Sequence, residues 1–137
     1  MSTPSIKFES VLAKHPSLRE RLIALATYVA KEVDAGHRDI VPALAARALR
    51  VSEAEILGFL MLFEEQGLLT HVYQVYCAGK KTFLGEFESK KQIPDSIPCQ
   101  FCDKDHCDPD ELEIELVFRL VDVSWLPNVH HHNAAVA

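Results

Sequence analysis

The chain has 137 residues, enough for one compact domain or a small domain with an extension. Hydrophobic residues make up 48%, which supports a real core and argues against global disorder. A formal net charge of -6 is not the footprint of a protein held to nucleic acid by phosphate neutralisation, since each phosphate contact needs a Lys or Arg.

The opening MSTPSIKFES carries no apolar stretch behind a basic start, so no signal peptide is expected. No apolar run is long enough to span a bilayer, and no membrane partner is expected. Both readings point to the cytoplasm. A reducing compartment disfavours structural disulfides and turns clustered cysteines towards metal binding or catalysis.

Residues 3–14 are expected to form a short leading helix or arm, with Ile6, Val11 and Leu12 facing inward. Ser17 and Glu20 have capping-box spacing. Leu18, Leu22, Leu25, Ala26, Val29 and Val33 then recur on one helical face, and Gly36 marks the stop. Pro42 suits the first turn of a short alanine-rich helix running to Arg50. Ser52 and Glu55 make a second capping box, and Ile56, Leu57, Leu60, Phe63 and Leu68 continue a helical stripe around the exit at Gly67.

After Gly67 the period changes to two. Leu69, His71, Tyr73, Val75 and Cys77 alternate with Thr70, Val72, Gln74 and Tyr76, Ala78-Gly79-Lys80 reads as a tight turn, and Thr82 to Phe87 returns as a second strand. Helices meeting across a short turn and followed by a hairpin, over residues 17 to about 90, resemble a winged helix-turn-helix domain. The LRVSEAEI turn and the EEQGLL exit carry the resemblance. It implies an α+β fold, with three helices and a β-hairpin wing over residues 1–90.

In DNA-binding members of that fold, the helix after the turn offers Arg, Lys, Asn or Gln to base edges. Here that helix, residues 53–66, carries Glu53, Glu55, Glu64 and Glu65 and no Lys or Arg. Phe59, Met61 and Leu62 lie off its main stripe. With Glu55 and Glu64 they form an apolar, acidic face suited to a protein partner. The alternative is nucleic-acid contact through a basic wing, using Lys80 and Lys81 at the hairpin tip with Arg47 and Arg50 nearby. A regulator of that kind would work as a homodimer.

Between Glu88 and Cys99 the chain reads as a loop with two prolines. Beyond the cysteines, Leu112, Ile114, Leu116, Phe118 and Leu120 alternate with Glu111, Glu113, Glu115, Val117 and Arg119. The pattern predicts a closing strand with one buried and one charged face. Trp125 then covers a sheet edge or packs back on the core, and residues 126–137, with three consecutive histidines, read as a disordered tail.

Cys99 and Cys102 form C-x-x-C, Cys107 follows five residues later beside His106, and Cys77 ends a strand at its turn. Structural zinc takes four tetrahedral ligands and favours thiolates. A two-residue gap lets both sulfurs of a knuckle reach one ion, and a cysteine from a distant hairpin ties the two segments together. Residues 75–120 thus resemble a zinc ribbon, although Lys80 stands where a second cysteine of the first knuckle is usual. The preferred ligand set is Cys77, Cys99, Cys102 and Cys107, with His106 as the alternate for Cys107 and His71 as a further candidate.

An iron–sulfur cluster on the same thiols is a competing reading, as is a ribbon with no ligand. A redox dithiol is disfavoured by Asp103, Asp105, Asp108, Asp110 and Glu111, which oppose thiolate formation with only Lys104 against them. A calcium loop starting at Asp103 is rejected, because Asp108 stands at its glycine position and Ile114 at its closing glutamate. No phosphate loop, dinucleotide fingerprint or zinc-protease motif is present, and no enzyme is expected.

The expectation is a winged helix, a zinc-ribbon-like β extension over 91–125, and a small non-enzymatic zinc-binding adaptor or regulator. It would act through protein contacts of the 53–66 helix or of the acidic loop 103–113. The resemblance implies an accessory component of a bacterial defence or transcription system. A DNA-binding transcriptional regulator and a metal or iron–sulfur redox sensor are the alternatives.

Overall fold

The computed structural model describes residues 6–79, 81–99 and 106–127, with backbone alone at His106 and Cys107. The described residues form a mixed α+β structure. Its helices are α1 (Ile6–Lys14), α2 (Arg19–Asp34), α3 (Pro42–Leu49) and α4 (Glu53–Glu65). Its strands are β1 (Asp39–Ile40), β2 (Leu69–Cys77), β3 (Thr82–Phe87), β4 (Ile97–Pro98), β5 (His106–Cys107) and β6 (Leu112–Leu120). One sheet has the order β1-β6-β2-β3, and β4 and β5 form a separate two-stranded ribbon. No helix among the described residues is long and apolar enough to cross a membrane.

The helix ends follow local chemistry, with one correction. The Ser17–Glu20 capping box does not form. Pro16 instead opens a 3-10 turn, Pro16–Leu18, and α2 starts after it with no side-chain cap. The Leu18 N–H donates to the His15 carbonyl at 2.9 Å and the Arg19 N–H to that of Pro16, so the turn itself satisfies donors a serine cap would have served. At α4 the expected cap is present in half. The Ser52 hydroxyl accepts from the Glu55 N–H at 3.1 Å, but the Glu55 carboxylate takes Arg21 of α2 at 2.9 Å.

α2, α3 and α4 all end in the same way, with a residue of positive φ at or just past the cap and two N–H groups folding back onto the last carbonyls. Gly36 (φ 94°) and Gly67 (φ 78°) serve α2 and α4, as their lack of a Cβ allows. At α3 the position falls to Arg50 at φ 59°, and the Val51 N–H closes on the Ala46 carbonyl at 3.1 Å.

The chain divides into two compact units, one of residues up to Thr70 together with those from Phe118, the other His71–Val117. In the first, Val11, Leu12, Leu22, Leu25, Ala26, Val29, Ile56, Leu60 and Phe63 are buried as the helical spacing requires. Ile6, expected inside, is 86% exposed, and Phe8 takes its place in the core. Phe8, Phe63 and Trp125 form an aromatic trio with ring centres 5.3–6.0 Å apart, so the segment after β6 does pack back. Leu126 is buried too, and residues 128–137 lie outside the described residues. The two-residue β1 pairs antiparallel with the end of β6, where the Arg119 guanidinium grips both oxygens of Asp39 at 2.7 and 2.9 Å.

In the second unit, β2 and β3 form the expected antiparallel hairpin, with a bulge between Val75 and Tyr76. The loop closes through the Lys81 N–H on the Cys77 carbonyl, and Lys81 takes positive φ. The closing strand departs from simple alternation. Val117 is buried although it alternates with the apolar set, whereas Ile114 of that set is 45% exposed. Alternation tells which residues share a face, and burial depends on what covers each stretch of it.

Candidate metal centre

Cys77 ends β2 at the mouth of the hairpin, and Cys99 directly follows β4. The fold brings these distant cysteines together in one buried cluster, 1% and 3% exposed, with Leu84 and Leu112 packed against them. Neither forms a disulfide. Backbone bonds hold the surroundings, since the Ala78 N–H donates to the Glu111 carbonyl at 2.9 Å, anchoring the turn beside Cys77 to the start of β6.

The 88–98 segment, read as a loop, is locally organised. The Gln92 side-chain oxygen accepts from the Glu88 and Ser89 N–H groups at 2.9 and 3.3 Å, and Ser89 with Gln92 makes a capping box. The Lys90 ammonium lies 5.9 Å from the centre of the Tyr73 ring. The chain then enters β4, which pairs with β5 in the register Ile97↔Cys107 and Pro98↔His106.

That register sets the backbone of Cys107 opposite Ile97, two residues before Cys99. Cys102 and the side chains of His106 and Cys107 lie outside the described residues. His71 is in β2 with its ring 5.6 Å from that of Tyr73, in an edge-on contact.

Two buried thiols in an apolar shell suit a soft, thiolate-preferring ion better than a hard, hydrated one. A second group of donors has another explanation. Asp108, Asp110 and Glu111 bring carboxylate oxygens within 4.8 Å of one another. The Glu111 carboxylate accepts from the Asp108 N–H at 2.8 Å while the Asp108 side chain accepts from the Glu111 N–H, a reciprocal cap on the 3-10 turn Pro109–Glu111. A cleft of about 600 Å³ is lined in part by ionisable groups that answer each other, His37 to Glu32 at 3.0 Å and Arg119 to Asp39.

The partner face expected on α4 is smaller than its sequence suggested. Phe59 is only 6% exposed and belongs to the core, a correction that follows from packing on more than one side of the helix. Met61 is 56% exposed, Leu62 and Glu64 are half-buried, and Glu55 is engaged by Arg21. On the basic side, Arg47 and Arg50 are exposed. Lys81 is exposed too, but its ammonium lies 3.3 Å from both oxygens of Glu113. Lys80 lies outside the described residues. The sequence reading did not single out Leu84 and Leu112 as the lining of the thiol pair. Their apolar character at the strand ends nearest the cysteines was the available signal.

Comparisons with protein-family models, with curated proteins and with solved structures found no match to this chain.

Proposed function

We propose that this chain is a non-enzymatic cytoplasmic adaptor of winged-helix type whose hairpin is tied to a cysteine ribbon by structural zinc, and that it works through protein contacts. The observation that carries this reading is the burial of Cys77 and Cys99 against each other from separate segments. The C-x-x-C spacing of Cys99 and Cys102, with Cys107 five residues on, favours Cys77, Cys99, Cys102 and Cys107 as holders of the ion, with His106 as the alternate for Cys107. The order of helices α3 and α4 across a short turn, then the hairpin β2–β3, supports the winged-helix assignment.

Zinc in such a place supplies folding free energy. The protein's residues supply the rest. Leu84 and Leu112 exclude water from the thiols, and the hairpin and ribbon present them from two directions. The acidic α4, together with a wing lysine already held by Glu113, favours a protein over a phosphate backbone as the partner.

Elemental analysis of protein purified without an affinity tag, with thiols counted before and after chelation, tests the reading. About one zinc per chain is expected, with thiols reactive only after chelation. Cys107→Ser is expected to abolish stoichiometric zinc and His106→Ala to leave it. Iron with visible absorbance would support the sensor alternative, and four freely reactive thiols without metal would remove the zinc reading. Wing-dependent, salt-sensitive binding of random duplex DNA would replace the adaptor by a regulator.

A further inference from the structure

The β2–β3 hairpin carries an aromatic pair that its core does not use. Tyr76 and Phe83 are directly paired across the strands, with ring centres 5.7 Å apart and nearly perpendicular. Phe83 is 51% exposed. Tyr76 also lines a cleft of about 440 Å³ with Lys81, Glu113, Ile114 and Glu115. Its hydroxyl donates to Gln74 at 3.2 Å, and the Gln74 amide donates to Glu86 at 3.1 Å. An aromatic platform is therefore bordered by three carboxylates, Glu86, Glu113 and Glu115.

The described cation at this border is Lys81, and Glu113 neutralises it at 3.3 Å. Glu115 is exposed and has no partner among the described residues. Among the described residues Glu115 thus leaves a negative surplus, which repels anionic ligands, a phosphate backbone included. A guanidinium suits the surroundings on both counts. Its flat face stacks on an aromatic ring and its edge donates two parallel hydrogen bonds to a carboxylate. A lysine would supply the charge without the fork, and a metal ion would leave the exposed Phe83 unused.

We infer that the sheet face built on Tyr76 and Phe83 docks an arginine-bearing segment of a partner protein, with Glu115 as the carboxylate that receives the guanidinium. The inference rests on the adaptor reading for the class of its partner and does not depend on the metal.

The test titrates the zinc-assayed full chain, followed by amide chemical shifts, with the probe peptide acetyl-Leu-Arg-Leu-Arg-amide and its lysine and glutamate counterparts. The arginine peptide is expected to give saturable shifts confined to residues 74–76, 83–86 and 113–115, with the lysine peptide weaker and the glutamate peptide silent. Phe83→Ser and Glu115→Gln are each expected to weaken binding by about threefold to tenfold. Phe83→Ser removes a cross-strand contact, so Glu115→Gln, an exposed isosteric change, serves as the variant whose fold is not in question. Absence of saturable shifts overturns the inference, as do equal binding of the glutamate peptide, shifts centred elsewhere, or full retention of affinity in Glu115→Gln. Because the zinc content of each sample is measured, loss of this face is distinguishable from failure of the metal reading. Duplex DNA binding that survives both substitutions would overturn the adaptor reading itself.

Discussion

The two compact units rest on different kinds of core. Residues 6–70 with 118–127 bury a broad aliphatic set around the Phe8–Phe63–Trp125 trio, and helices α2 and α4 each bring several fully buried side chains to it. In residues 71–117, the buried side chains among the described residues are Val72, Val75, Cys77, Ile97, Cys99 and Val117. Two of these six are thiols. A unit this small with so thin an interior gains little from apolar burial, and such units commonly draw on a metal, a disulfide or a partner. The first unit shows how far helical periodicity goes alone. The second shows where periodicity ceases to account for stability, and the same stretch of chain supplies both the proposed ion site and the proposed docking face.

The strongest way to break this contrast is to remove one side chain from the richer core. Leu60 is fully buried, and Leu60→Ala is expected to cost about 2–5 kcal/mol. Denaturant unfolding followed by fluorescence of Trp125, the single tryptophan, measures it. A loss below about 1 kcal/mol would mean that this core yields easily, and the contrast would fail.

Next in size, Cys99→Ser is expected to raise amide exchange through residues 71–117 by about tenfold or more while α2 and α4 keep their protection. Chelation of the wild-type protein should reproduce the pattern. Equal loss of protection in both units would show that they do not differ in what holds them together.

Smaller effects sharpen the picture of the helical unit. Ser52→Ala removes the cap on α4 and is expected to destabilise by about 1 kcal/mol, read as a lower denaturation midpoint at unchanged slope. Arg50→Gly relieves the left-handed strain at the end of α3 and is expected to stabilise by about 0.5–1 kcal/mol in the same assay, the left-handed cost being partly offset by glycine's entropy. If Arg50→Gly is destabilising instead, the side chain makes a contribution there that outweighs the strain.

The amino-acid sequence by itself determined the helices, their buried stripes, the stops at Gly36 and Gly67, the β2–β3 hairpin and the extended closing strand. These depend on periods of 3.6 and 2 and on hydrogen bonds within a few residues, all of which are local. Even a local signal lost where a stronger one adjoined it, as Pro16 displaced the Ser17 cap. Only the tertiary structure decided that Phe59 lies inside and Ile114 outside, because burial is set by whatever chain arrives from far away to cover a face. It also decided that Asp39 meets Arg119, a pair that no spacing in the sequence ties. The cysteine pattern pointed to Cys77 and Cys99 as neighbours, and the fold supplies the close approach and the apolar shell around them. Closing loops of that length is favourable only when the strands and core between them form together, so such meetings become visible once the whole chain has folded.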